Sequence, residues 1–123
     1  MEIIISNSSA SPIYEQIAQQ VREAILTGEL AEGTLLPSIR ALANDLRISV
    51  ITTKRAYAEL EKAGLVSTVQ GKGTFVTGGN LELLREEHLR HVEQLIGQAV
   101  ADAKAAGLTA QELHEMLDLL MEG

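Results

Sequence analysis

The chain lacks cysteine altogether, and aromatic residues make up only 2% of its 123 residues. The absence of cysteine excludes disulfide bonds and thiolate metal sites, and it is typical of a reducing compartment. No apolar run approaches the roughly 18 residues of a membrane span, and no basic segment precedes the short apolar run at residues 3–5. We therefore expect a cytoplasmic protein without a membrane segment, whose core is built from leucine, isoleucine, valine and alanine.

Basic side chains are fewer than acidic ones, at 10 against 17, and the formal net charge is −7. Their distribution is uneven, because residues 36–77 hold six basic and three acidic side chains while the flanking segments are acidic. A protein with separated charge can turn its positive face to phosphate and keep its acidic part away. The negative total therefore does not exclude a nucleic-acid partner for the middle of the chain.

Apolar residues at spacings of three and four predict helices in the first half of the chain. The expected helices cover residues 12–28, 38–46 and 49–64, with Ser11 and Ser49 as N-caps and a glycine at the end of the first and third. Residues 3–5 are expected to form a short strand, and residues 29–37 a loop. The apolar stripe of the third helix is expected to face inward and consists of Thr53, Ala56, Tyr57, Leu60 and Ala63.

A β-hairpin and two more helices are predicted to follow. Residues 65–69 and 74–77 favour strands, and the glycines of the turn between them permit positive φ angles. Residues 78–80 read as a hinge before a long helix that ends at Gly107, and Thr109 with Glu112 forms a capping box for a last helix. The apolar residues expected to face inward on that last helix are Leu113, Met116, Leu117, Leu120 and Met121.

The predicted fold is mostly α, in the α+β class. A helix, a short helix, a tight turn, a longer helix and a hairpin follow one another in the order of a winged helix-turn-helix. We therefore expect a winged helix-turn-helix domain over residues 1–77, the hinge at 78–80 and a helical dimerisation tail over 81–123. In such a domain the short helix braces the next one, whose N-terminal half is free to enter a major groove of DNA.

The third helix has the surface that a groove-reading helix requires. With 100° of rotation per residue, its outward face is small near the start and basic along its length. The DNA-facing residues expected on this helix are Ile51, Thr52, Lys54 and Arg55. Arg40 on the second helix and Lys72 in the wing turn are expected to lie near phosphates. The sequence therefore predicts DNA binding.

Three segments resemble the DNA-binding domain of the GntR regulators: Pro12-Ile-Tyr-Glu-Gln-Ile17, Leu36-Pro-Ser-Ile-Arg40 and Gly71-Lys-Gly-Thr-Phe-Val76. The resemblance covers about residues 10–77, and the short helical tail looks like that of the YtrA subfamily. It implies a dimer that binds an imperfect palindromic operator in double-stranded DNA, usually as a repressor. It also leaves open a small-molecule effector of unidentified chemistry.

The resemblance implies contacts at named positions. These are Arg40 on the second helix, Ser49, Thr52 and Lys54 on the third, and Gly71 with Lys72 in the glycine-rich wing tip that Gly73 completes. Val50 departs from the family pattern, since many relatives carry a base-reading arginine there. We therefore expect base readout to shift to Ile51, through a thymine methyl contact, and to Arg55.

The wide apolar stripe of the tail can be buried only against the winged domain, the last helix or another copy of the chain. Dimerisation through residues 81–121 is therefore our hypothesis, and it would place two recognition helices about one DNA turn, roughly 34 Å, apart. The residues expected at the dimer interface are Leu81, Leu84, His88, Val92, Leu95, Ala99, Leu113 and Leu117.

Fewer residues support a function other than DNA binding. His88 and His91 are spaced to share a metal ion, but His88 lies in the packing stripe, so we predict no metal site. The sequence suggests no Ser-His-acid set, no paired carboxylates and no complete phosphate-loop motif, and we predict neither an enzyme nor a cofactor. The alternative reading is a winged-helix protein-interaction module without specific DNA binding.

Overall fold

The computed structural model describes residues 1–79 and 81–123, which form two compact units, Met1–Leu84 and Arg85–Gly123. The elements in chain order are α1 (Ile13–Thr27), α2 (Ile39–Leu46), α3 (Val50–Lys62), β1 (Val66–Val69), β2 (Gly73–Val76), α4 (Leu81–Ala105) and α5 (Ala110–Glu122). This confirms the predicted fold class. The predicted hinge at 78–80 includes Asn80, which lies outside the described residues. The first unit extends to Leu84 because that side chain is buried in its core.

The first helix is capped by a proline rather than a serine. Pro12 is the N-cap of α1, and its carbonyl accepts hydrogen bonds of 3.1 Å from the N–H groups three and four residues on. The prediction that Ser11 caps this helix is therefore wrong, because proline already has the fixed φ that the position needs. The predicted stop is confirmed: Gly28 has a φ of 86° and its N–H donates to the carbonyl of Ile25.

The helix-turn-helix is built from local caps, as predicted. Ser38 and Ser49 each accept a hydrogen bond of 3.0 Å from the backbone N–H three residues on, and so begin α2 and α3. Between the two helices Arg47 adopts a left-handed conformation with a φ of 56°. Its N–H bonds to the carbonyls that end α2. This single residue therefore makes the sharp turn that directs α3 away from α2.

The core of the first unit lies where α1 packs on α3. Ile17 and Leu60 are fully buried there, together with apolar residues of α2, the strands and the start of α4. Thr53 is fully buried as well, and its hydroxyl donates to a carbonyl one turn earlier at 3.1 Å, so it leaves no unpaired donor in the core. The inward stripe predicted for α3 is confirmed except for Ala63, which is exposed because it is the C-cap of the helix.

The wing is an antiparallel hairpin that a segment from before α2 extends. In β1 and β2, Val66 lies opposite Val76. Residues 33–36, predicted as a loop, pair with the outer edge of β2: the N–H of Leu36 donates to β2 at 2.8 Å, and the N–H of Val76 donates to the carbonyl of Thr34 at 2.9 Å. The loop prediction is confirmed, since the segment forms only an isolated bridge from Leu35 to Phe75, and this loop also provides backbone partners for the free edge of β2.

Residues 3–5, predicted as a strand, instead bond to side chains of α1. The side-chain amide of Gln20 accepts from the N–H of Ile4 at 2.9 Å and donates to its carbonyl at 2.7 Å. Gln16 bonds to the backbone of Ser6 in the same way, at 2.9 and 3.0 Å. These two glutamines satisfy the backbone that a neighbouring strand would otherwise pair.

The second unit consists of the rest of α4 and α5. Gly107, with a φ of 75°, lies in the turn between them. The predicted capping box is confirmed: the Thr109 hydroxyl accepts from the N–H of Glu112 at 3.1 Å, and the Glu112 carboxylate accepts from the N–H of Thr109 at 3.0 Å. Within residues 1–79 and 81–123, no helix is both long enough and apolar enough to cross a membrane.

The apolar residues of α5 are not covered within a single chain. None of its residues is buried, and Leu113 is half-buried. The other side chains predicted to face inward are between 48% and 80% exposed: Met116, Leu117, Leu120 and Met121. The inward prediction is therefore not met by the chain alone, because no element of the second unit packs over this side of the helix.

Candidate nucleic-acid interface

The first turn of α3 exposes two apolar side chains. The inner residues Thr53, Ala56 and Tyr57 are buried, so the opposite face of the helix points to solvent. On that side Ile51 is 80% exposed and Val50 is 47% exposed. Neither packs in the core. Apolar side chains at the start of such a helix suit contact with thymine methyl groups in a major groove.

Exposed basic side chains lie on α3 and in the segments next to it. They are Arg40 on α2, Arg47 in the turn, Lys54 and Lys62 on α3, and Lys72 in the wing turn. Within the described part of the chain, none of these five side chains forms a hydrogen bond or an ion pair. Their charge is therefore available to phosphates, whose neutralisation provides most of the affinity of proteins for DNA.

The hydroxyls of Ser49 and Thr52, both predicted contacts, bond to each other. Ser49 Oγ accepts from the N–H of Thr52 at 3.0 Å and donates to Thr52 Oγ1 at 2.8 Å. Ser49 is therefore occupied as the cap of α3. The Thr52 hydroxyl keeps its own proton for an outside acceptor, such as a phosphate oxygen.

Arg55 is exposed but not free. Its Cζ lies 3.8 Å from the centroid of the Tyr14 ring, and its Nη2 donates to the Tyr14 hydroxyl at 3.2 Å. Tyr14 is in the first turn of α1 and is half-buried against the core. The guanidinium of Arg55 is thus held on α1, whereas the side chain of Lys54, one residue earlier, has no such partner.

The wing tip is shaped by its glycines. Gly71 has a φ of 80°, and the N–H of Lys72 donates to the Val69 carbonyl at 2.9 Å to close the turn. Gly73 has a φ of 119°, and a Cβ at this position would lie 2.8 Å from Cδ1 of Leu35. Glycine is therefore required where β2 begins, and the turn leaves Lys72 exposed at the tip.

Tyr57 ties α3 to the segment before α2. Its ring is buried, and its hydroxyl donates to the carbonyl of Pro37 at 2.6 Å. Burial raises the pKa of the Tyr57 hydroxyl from 10.0 to about 12. A neutral, buried phenol with a satisfied hydroxyl fixes the distance between α3 and the start of α2, where Arg40 lies.

The residues predicted for a dimer interface fall in both units. Leu84 is 8% exposed in the core of the first unit, so it is already covered within one chain. His88 and Leu113 are half-buried. The remaining predicted interface residues are exposed: Leu81, Val92, Leu95, Ala99 and Leu117. In the second unit, Leu89 and Ile96 of α4 are also more than half exposed and add to its exposed apolar residues.

The histidines of α4 do not form part of a metal-binding cluster. The ring centroids of His88 and His91 are 6.4 Å apart and the rings are tilted. Among the residues that the structure describes, no three or more histidine, cysteine, aspartate or glutamate side chains are grouped to hold a metal ion.

We call the first unit, Met1–Leu84, the winged unit, because it contains the helix-turn-helix and the wing. It also matches a known family. The model of the gntR family of bacterial regulatory proteins matches residues 13–76, which are more than half of the chain. The chain belongs to the GntR family. It is 36% identical over 115 residues to the HTH-type transcriptional repressor YtrA of Bacillus subtilis (strain 168), and the match covers 94% of this chain and 88% of that protein. The family and YtrA-like resemblance predicted above are thus confirmed, and this GntR protein is a transcription regulator rather than an enzyme.

Solved structures give the same result. A GntR family transcriptional regulator from Listeria monocytogenes superposes with a TM-score of 0.74 at 28% identity, covering 93% of this chain and 97% of that one. The DNA-binding domain of AraR, solved in complex with operator ORX1, superposes with a TM-score of 0.55 at 26% identity, covering 63% of this chain and 96% of that one. The winged unit of this GntR regulator therefore has the fold of that DNA-binding domain.

The structure adds residues that the sequence analysis did not assign to this surface. Val50 appeared there as a departure from the family pattern, yet the helical rotation that selected Ile51 also predicts its exposure. Arg47 was counted only among the six basic side chains of residues 36–77 and was not predicted to contact DNA. The contact of Tyr14 with Arg55 joins residues 41 positions apart, and no local pattern in the sequence predicts it.

Proposed function

We propose that this GntR regulator is a repressor that binds a palindromic operator in double-stranded DNA as a homodimer, in the cytoplasm. The observation that carries the proposal is the exposed face of α3, where Val50 and Ile51 are exposed and where Lys54 and Lys62 have no partner among the residues that the structure describes. In this proposal α3 contacts the bases, and Arg40 and Lys72 contact phosphates from α2 and from the wing.

The apolar surface of the second unit supports the homodimer. Large exposed apolar patches mark interaction sites in proteins, because leaving them in water is unfavourable. A second copy of the same chain carries the same patch, and a two-fold axis buries both patches against each other. The same axis gives two recognition helices, which is what a palindrome with two half-sites requires.

Selection of bound sequences from a random duplex pool tests the proposal. The full-length protein at physiological salt should enrich a palindrome whose half-sites lie about one DNA turn apart. Enrichment of a single unpaired half-site would contradict the dimer on DNA. Recovery of no preferred sequence, with binding that only follows salt, would favour the protein-interaction module instead.

Matched charge variants then test the phosphate contacts. Lys72→Ala and Arg40→Ala should each weaken binding to all duplexes and reduce the slope of log K against log salt by about 1.8, because the homodimer loses one phosphate contact, worth about 0.9, from each of its two subunits. Arg90→Ala, which removes an exposed cation of α4 in the second unit, is the control and should leave the slope unchanged. Equal slopes for all four proteins would remove these side chains from the interface.

A charge placed on the apolar surface tests the dimer. Leu95 is 50% exposed on α4. Burying a leucine is worth about 1.5–3 kcal/mol, and symmetry doubles the effect, so Leu95→Glu should weaken dimerisation by roughly 10²–10⁴-fold. Gln94→Glu adds the same charge one residue away, turned about 100° around the helix, and should not change sedimentation. A Leu95→Glu protein that stays dimeric at the same concentrations would contradict this interface.

A further inference from the structure

Arg55 was expected to read bases, but its side chain is turned toward α1. Tyr14 stacks under the guanidinium, with its ring centroid 3.8 Å from Cζ, and accepts one hydrogen bond from Nη2 at 3.2 Å. Since α1 packs on the inner side of α3, a side chain drawn toward α1 is drawn away from the outermost line of α3, where Ile51 is 80% exposed.

The contact with Tyr14 leaves most of the guanidinium available. An arginine side chain has five N–H donors in one plane, and the Tyr14 hydroxyl engages one of them. The ring covers a face of that plane, while the residue as a whole remains exposed. An exposed fork of donors matches the geometry of a phosphate group, which arginine can bind through two parallel hydrogen bonds.

We propose that Tyr14 is a positioning residue for DNA binding, which holds the Arg55 guanidinium at the rim of the recognition helix so that Arg55 donates to a backbone phosphate. Phosphates line the rim of a groove and base edges form its floor, so a side chain held back toward α1 meets the rim. Arg55 therefore adds affinity on every sequence rather than preference at one base pair. The proposal rests on the DNA binding proposed above and names one source of its affinity.

Pre-orientation is the physical reason for such a contact. A free arginine loses rotamer entropy when it becomes fixed on a phosphate, and a contact that already restricts the side chain in the free protein reduces that loss. The stacking is electrostatic as well, because the negative face of the ring attracts the cation. A cation–π contact at an exposed site corresponds to a factor of about two to five in an equilibrium constant, which sets the size of the effect expected from Tyr14.

Four variants of the full chain test the proposal on the selected operator and on a scrambled duplex. Arg55→Ala should weaken binding to both duplexes alike and reduce the salt slope by about 1.8, which is about 0.9 for each subunit of the homodimer. Tyr14→Leu, which keeps an apolar side chain against the core, should weaken binding to both duplexes by about two- to fivefold for each subunit of the dimer. Tyr14→Phe keeps the ring without the hydroxyl and should weaken binding by less than Tyr14→Leu does. In the double variant, Tyr14→Leu should have no further effect once Arg55 is alanine.

The double-variant comparison separates positioning from a general effect on the fold. If Tyr14→Leu weakens binding equally with and without Arg55, Tyr14 acts through folding and the proposal is wrong. A changed base preference of Arg55→Ala at one position, with an unchanged salt slope, would make Arg55 a base reader and overturn it as well. If instead the wild-type protein prefers no sequence, the proposed operator function fails first, whereas the outcomes above all require a wild-type protein that binds its operator.

Discussion

Tyr57 gives a quantitative test of how the helix-turn-helix is held together. The residue is 4% exposed, its hydroxyl donates to the Pro37 carbonyl at 2.6 Å, and burial raises its pKa from 10.0 to about 12. Near pH 8 we expect Tyr57→Phe to lower the free energy of unfolding by about 1 kcal/mol, because the hydrogen bond to Pro37 is lost. The ring itself stays buried in the variant.

The pH dependence of the same residue has a defined sign. Because the folded-state pKa of Tyr57 lies above its unfolded value, the neutral hydroxyl stabilises the fold fully below pH 10, and this stabilisation is lost as pH rises toward 12. With these two values, the wild-type protein has lost about 1 kcal/mol from this residue by a pH between about 10.5 and 11. Tyr57→Phe has no hydroxyl to titrate and is free of this loss.

Urea unfolding of both proteins, followed by far-ultraviolet circular dichroism from pH 8 to 11, measures the difference directly. Other groups titrate equally in the two proteins, so the difference in unfolding free energy isolates Tyr57. The wild-type advantage of about 1 kcal/mol should shrink above pH 10 and vanish between about pH 10.5 and 11. A difference that stays constant over the whole range would refute the claim that burial of the hydroxyl controls its titration.

Three further predictions concern backbone conformation and caps. Arg47→Gly should raise the free energy of unfolding by about 0.5 kcal/mol or more. A left-handed residue with a Cβ is disfavoured by roughly 1–2 kcal/mol, and the greater backbone entropy of glycine in the unfolded chain offsets only part of this. An unchanged or lower urea midpoint would contradict this prediction. Gly73→Ala should destabilise the first unit more than Gly71→Ala, because the φ of 119° at Gly73 lies further from the left-handed region open to other residues than the φ of 80° at Gly71. Equal urea midpoints would contradict this reason. Hydrogen bonds from the backbone N–H of Thr109 and, to a smaller extent, from its hydroxyl hold the pKa of the Glu112 carboxyl below its usual value. Thr109→Ala removes only the hydroxyl and should therefore raise that pKa part of the way in an NMR titration. An unchanged pKa would exclude a role for the hydroxyl.

The local parts of this protein were predictable from its sequence. Ser38, Ser49 and the Thr109 box bond to backbone within three residues, so their role follows from spacing alone. The exposed face of α3 follows from its buried stripe by the rotation of the helix, which is why the sequence pattern correctly predicts that Ile51 and Lys54 face solvent. The wing turn followed from its glycines, because few other residues adopt its backbone angles.

What the sequence could not determine depends on partners distant along the chain. Residues 3–5 were predicted as a strand, which was wrong because the group that bonds to the backbone of Ile4 lies far away, on Gln20 of α1. Residues 33–36 were correctly predicted as a loop, but their pairing with β2 was not, because β2 is also distant along the chain.

The sequence by itself therefore determined the helices, the N-caps of α2, α3 and α5 and the basic outer face of α3, since each depends on interactions within a few residues. The tertiary structure alone decided that Leu84 is buried in the first unit and that Tyr14 engages Arg55. Both are contacts between elements, and local periodicity shows which face of a helix is apolar but not which neighbour a side chain meets.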